Sequence, residues 1–181
     1  MRPKGQVFIL TALAMCLACT APVRAQRQRH DPLTPAQVDK IREAGIAPQL
    51  RLKLYAQFVD EHLDGIKRLT VRAHTRAWEH RMDSELQNLT ALMDELGSNL
   101  DQYADRKADI RKALKSLTGD TQRWKAQLKA LPPSRIYDLS LKEAIASVGD
   151  ISDDASESLK DQTQYFKEHK DQQGQEWAEP Q

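Results

Sequence analysis

The sequence predicts an all-α fold, a helical hairpin or bundle with coiled-coil-like long helices. Three observations point to it. No proline stands between Gln49 and Leu131. Apolar residues recur through that stretch in steps of three and four, the period of a helix with one buried face. Both cysteines, Cys16 and Cys19, lie in the first 25 residues. The rest of the chain therefore has no disulfide to lean on, and helix packing must supply its stability.

The chain opens with the three parts of a secretory leader. Met1-Arg2-Pro3-Lys4-Gly5 is positive, Val7 to Cys19 is almost wholly apolar, and Val23-Arg24-Ala25 precedes the polar Gln26. The apolar run falls short of the roughly 20 residues that span a bilayer. Residues 1–25 are thus expected to be a signal peptide, and the protein to be exported to a periplasm or the extracellular space. Lipid anchoring at Cys19 is the weaker alternative, because Cys16 stands where a lipobox favours Leu. Cleavage removes Arg2, Lys4 and Arg24, leaving 24 basic against 26 acidic residues, a net charge of −2. That balance gives no global attraction to nucleic acid.

Residues 26–32 read as a disordered N-terminal segment, residues 33–170 as one helical domain and residues 171–181 as a disordered tail. Thr34 suits an N-cap and Pro35 the first helical position, where no amide hydrogen is needed. Val38, Ile41 and Ala44 give this short helix its stripe. Gly45 ends it and Pro48 opens the next. Leu52, Tyr55, Val59, Ile66, Leu69 and Ala73 mark a second stripe, which loses phase near residues 74–80, where a turn or stutter is expected.

The cleanest pattern follows. Met82, Leu86, Leu89, Met93, Leu96, Leu100 and Tyr103 alternate in steps of four and three, and Ile110, Leu114, Leu117, Thr121, Trp124, Leu128 and Leu131 continue in register. Only Lys107 breaks the row. Such a seam is that of a coiled coil or long-helix bundle. Unbroken, it would make a helix of roughly 75 Å at 1.5 Å per residue. Leu131-Pro132-Pro133-Ser134 is a firm stop. Ser140 and Glu143 read as a capping box starting the last helix, whose stripe is Leu141, Ile145, Val148, Ala155, Leu159 and Phe166.

Catalytic and metal signatures are not found. The seven glycines are dispersed, and none of the five histidines sits in a His-Glu-x-x-His or Glu-x-x-His pattern. No catalytic, cofactor-binding or metal-binding residue is assigned. His62 reads as a partly buried histidine satisfied by a neighbour. Asp150, Ser152, Asp154, Ser156, Ser158 and Asp161 fall at calcium-loop spacing, but Ala155 replaces the glycine of the turn and Asp161 the bidentate Glu, so an acidic helical face is the better reading. Asn88-Leu89-Thr90 matches a glycosylation acceptor but includes the seam residue Leu89.

Two charged ridges remain. Arg68, Arg72, Arg76 and His80 recur every four residues, as on one helix face, and like charges at that spacing repel. With Trp78 as a stacking or anchoring residue, this basic ridge is the candidate anion-binding site, for a polyanion or a membrane surface. Asp64 and Glu85 are expected to offset Arg68 and Arg81. Asp150, Asp154, Glu157 and Asp161 form an acidic ridge of similar length, and intramolecular docking of the two ridges is the structural alternative.

Leu33-Thr34-Pro35-Ala36-Gln37 resembles the Leu-Thr-x-x-Gln motif of small periplasmic helical proteins, the Spy-type chaperones and envelope-stress or metal-resistance sensors. The match covers five residues and has no second copy. The resemblance implies binding of client proteins or metal-stress sensing. The residues themselves favour an exported, non-catalytic helical protein that acts by protein interaction or self-association along the seam, without a cofactor.

Overall fold

A computed structural model describes residues 31–71 and 76–174, with Arg76 placed by its backbone alone. The described chain is all-helical, with five α-helices and no strand: α1 (Pro35–Glu43), α2 (Pro48–Thr70), α3 (Arg76–Asp105), α4 (Arg111–Lys129) and α5 (Asp138–Glu168). Residues 1–25 and 26–30, read as signal peptide and polar segment, lie outside the described residues, as do 175–181.

Local chemistry starts α1 as expected. Thr34 Oγ1 accepts from the Gln37 amide at 3.3 Å, and Gln37 Oε1 accepts from the Thr34 amide at 2.8 Å, a reciprocal capping box. Gly45 follows in the left-handed region at φ 59°, where a side chain would be strained. Pro48 then stands at the start of α2.

The expected 75 Å helix does not form. It stops at Asp105 and restarts at Arg111. Lys107 adopts φ 55°, its amide donates to Ala104 O, and the Ala108 amide donates to Tyr103 O, both at 3.1 Å. That pair of bonds is a Schellman stop. The charge that broke the seam therefore marks its end, although glycine is the usual residue at such a position. The link is sealed from a distance. Gln162 of α5, read as a weak polar point in its stripe, is buried and makes two bonds to the backbone of the link. Its Oε1 accepts from the Ile110 amide at 3.1 Å and its Nε2 donates to Ala108 O at 3.0 Å.

A second correction concerns α5. It begins at Asp138, two residues before the expected cap, and Ser140 caps nothing. Its hydroxyl instead donates to Asp83 Oδ1 of α3 at 2.6 Å. The buried face is Ala144, Val148, Ile151, Ala155, Gln162 and Phe166, so Leu141, Ile145 and Leu159 only flank the core. Beyond α5, Lys170–Gln172 form one 3₁₀ turn. The Gly174 amide donates to Asp109 Oδ2 at 2.9 Å, so ordered contacts run past residue 171, where the tail was expected to begin.

Helix contacts close a ring, with α2 against α3, α3 against α5, α5 against α4 and α4 against α2. Pairings fix the directions. Tyr55 meets Glu95 and His62 meets Glu85, so α2 and α3 are antiparallel. Ser140 meets Asp83 and Gln162 meets the link after α3, so α5 runs parallel to α3. Gln49 donates to Asp109 O just before α4, and Asp60 accepts from Arg123, so α2 and α4 are parallel too. Inside the ring lies the predicted seam. Met82, Leu86, Leu89, Leu96, Ile110, Leu114, Trp124 and Leu128 are fully buried. Burial at about 25 cal/mol per Å² of apolar surface makes this seam the main source of stability.

Candidate functional site

The basic ridge is not one helix face. Arg68 lies in the last turn of α2, whereas Arg76 and His80 belong to α3. Arg72 lies outside the described residues, as does the side chain of Arg76. Cations suit the end of α2, where unpaired carbonyls leave partial negative charge.

Trp78 sets the geometry of this corner. It is buried, and its indole N–H donates to the Leu69 carbonyl. Its ring meets Tyr137 edge-on, with centroids 5.9 Å apart. Trp78 is a core residue pinning the first turn of α3 to the last turn of α2. The pin brings Arg68 and His80 together after the chain has turned. With Gly65, Leu69, Arg81, Ser84 and Glu85 they line an open cleft of about 340 Å³ between α2 and α3.

Arg68, His80 and Arg81 are exposed there. The expected pairs Asp64–Arg68 and Glu85–Arg81 do not form, and among the described residues no ion pair joins either arginine to a carboxylate. Glu85 turns instead to His62, with Oε2 3.2 Å from Nδ1, while His62 Nε2 lies 3.3 Å from Pro32 O. A ring bonded to a carboxylate and a carbonyl donates from both nitrogens only when protonated. The hydrogen bond to Glu85 accordingly raises the His62 pKa above its ordinary value, against the opposing effect of burial. This is the satisfied, partly buried histidine the sequence suggested. The cleft thus presents two guanidinium groups, an imidazole and a hydroxyl, with the Glu85 carboxylate, bonded to His62, also on its wall, and the excess of donors suits an oxyanion.

Sequence reasoning gave Arg68 and His80 to the site and left Arg81 and Ser84 out. A signal for both existed, since Ser84 is one turn beyond His80, and Arg81 one turn before Glu85.

The described parts of the ridges do not dock: Arg68 ends α2, which makes no contact with α5, and His80 lies near the start of α3, the end beside Ser140, away from Asp150 to Asp161. Asp154 instead lies among Asp101, Asp150, Asp153 and Glu157. Burial first, then these like charges, raise its pKa above the ordinary aspartate value. Asp150 to Asp161 is continuous helix, with no turn to wrap an ion. No three His, Asp or Glu side chains among the described residues converge as metal ligands. Leu89 of the acceptor triplet is fully buried within α3. The residues of the Leu-Thr-x-x-Gln match also have structural work here. Leu33 packs on the core, Thr34 and Gln37 form the capping box, and Gln37 Nε2 donates to Glu61 Oε2 at 2.7 Å.

No helix among the described residues is long and apolar enough to cross a membrane. Comparison with protein-family models, curated proteins and solved structures finds no match for this chain.

Proposed function

We propose that the protein is an exported, non-catalytic helical bundle with a coiled-coil-like seam, acting by interaction, and that the α2–α3 cleft binds an anionic group of its partner. The convergence of Arg68, His80 and Arg81 on one cleft, with Glu85 engaged by His62, carries the reading. The leader pattern in residues 1–25 supports export. Burial of the seam tells against self-association along it.

The test is retention on heparin, with co-sedimentation on phosphatidylglycerol vesicles as a parallel arm. Wild-type protein should bind at low ionic strength and release as salt screens the charges. Arg68→Gln with Arg81→Gln should abolish binding while helix content by circular dichroism stays unchanged. Binding to vesicles alone would assign the anion to a lipid surface. Absence of binding to both probes at low salt would sink the proposal.

A further inference from the structure

A second surface lies on the parallel pair α2 and α4. Gln49, Lys53, Ala56, Gln57 and Asp60 form a lengthwise stripe on α2, and Lys112, Ala113, Ser116 and Asp120 form one on α4. Between them runs an open groove of about 480 Å³. Its floor includes the buried Leu52 and Leu117, and Leu50, 47 % exposed, stands at its lysine end.

Charge along the groove has a direction. Because the helices are parallel, Lys53 and Lys112 share one end and Asp60 and Asp120 the other. Arg123 bonds both aspartates, so the acidic end carries one net negative charge against two positive charges opposite. The lysine-to-aspartate spacing is about 10 Å on α2 and about 12 Å on α4 at helical rise. The midpoints fall at Ala56–Gln57 on α2 and at Ser116 on α4, mostly small residues.

We propose that this face binds a second copy of the chain in an antiparallel, twofold-symmetric dimer. An isologous interface must be complementary to itself. A twofold axis through those midpoints sets Lys53 against the partner's Asp60 and Lys112 against the partner's Asp120, each contact occurring twice. This twofold stacks α2 on the partner's α2 and α4 on the partner's α4, so that the two grooves face each other, and Ala56, Ala113 and Ser116 permit close approach. The dimer covers Leu50 and the groove floor. It is independent of the anion cleft, which lies on the α2–α3 side.

Sedimentation of the wild-type protein across a concentration series should show a monomer–dimer equilibrium that weakens with salt. Lys112→Glu should weaken the dimer at least tenfold, and so should Asp120→Lys. The two changes in one chain should restore it, because the twofold pairs each new residue with its complement. Ser116→Trp, at an exposed position, should block association while circular dichroism stays native. Heparin binding should be unaffected by Ser116→Trp, so the two proposals fail separately. A monomer at every concentration overturns the dimer and leaves the groove to a different partner. So does a dimer indifferent to Ser116→Trp, or a double variant no better than the singles.

Discussion

Helix α4 shows two faces that meet different fates. Leu114, Leu117, Thr121, Trp124 and Leu128 point inward, and each is at most 2 % exposed. One step around the same helix, Lys112, Ala113, Ser116 and Asp120 line an open groove. Both faces keep the helical period, so the difference lies in side-chain size and charge. Large apolar residues close an interface with neighbouring helices, whereas small and charged ones hold two helices side by side without filling the space between. On the groove side α2 and α4 are joined by polar links at one end. Asp60 Oδ1 accepts from the Trp124 indole and from Arg123, each at 2.7 Å.

The comparison breaks most visibly at the inner face. Leu114→Asp loses apolar burial and places a charge in the seam, an expected cost of roughly 5 kcal/mol. Against a total stability of about 5–15 kcal/mol, circular dichroism should show extensive melting. A variant that unfolds at the wild-type denaturant midpoint would mean that the seam is not the core.

A smaller effect is expected where the inner face meets the α3–α4 link. Gln162→Leu leaves the buried Ile110 amide and Ala108 carbonyl without their partner, at about 2–4 kcal/mol for the two groups. Faster amide exchange at Ile110 than in the middle of α3 would locate the damage at the link. Uniform change across the protein would argue that the link is not separately held.

Least costly is the polar tie across the groove end. Trp124→Phe keeps most of the ring's packing and removes one donor to Asp60, which Arg123 still holds. A loss of about 1 kcal/mol is expected in the denaturant midpoint. A loss matching that of Gln162→Leu would show that the groove side is held as tightly as the core, and the contrast between the faces would fail.

Some of this architecture was legible residue by residue. Thr34-Pro35, Gly45, Pro48 and Leu131-Pro132-Pro133 act through backbone chemistry within one turn, and a reader of sequence meets all of it. A break between the second and third helices showed as a loss of phase, placed near residues 74–80, although α3 already runs from Arg76. The break at Lys107 did not, because α3 and α4 both pack on α5 and one helix can set the same period on both sides of a stop. The candidate site was half legible. Arg68 and His80 stood out by spacing, but for a reason that does not hold, since they lie on two helices. The burial of Trp78 was not legible, because an indole's chain position says nothing of whether Leu69 O and Tyr137 wait beside it.

By itself, then, the sequence determined that this chain is helical, where α1 begins and ends, where α2 begins and α4 ends, and that most of the stripe from Met82 to Leu131 is buried. These follow from interactions between residues a few positions apart. Only the tertiary structure decided the rest. It decided that the seam is cut at Lys107 and spliced by Gln162, more than fifty residues away. It turned Ser140 inward, set α2 and α5 on different corners of the ring, and gathered Arg68, His80 and Arg81 around one cleft. Each of these depends on which helices become neighbours, and that is settled by packing the whole set against one another rather than by any local pattern.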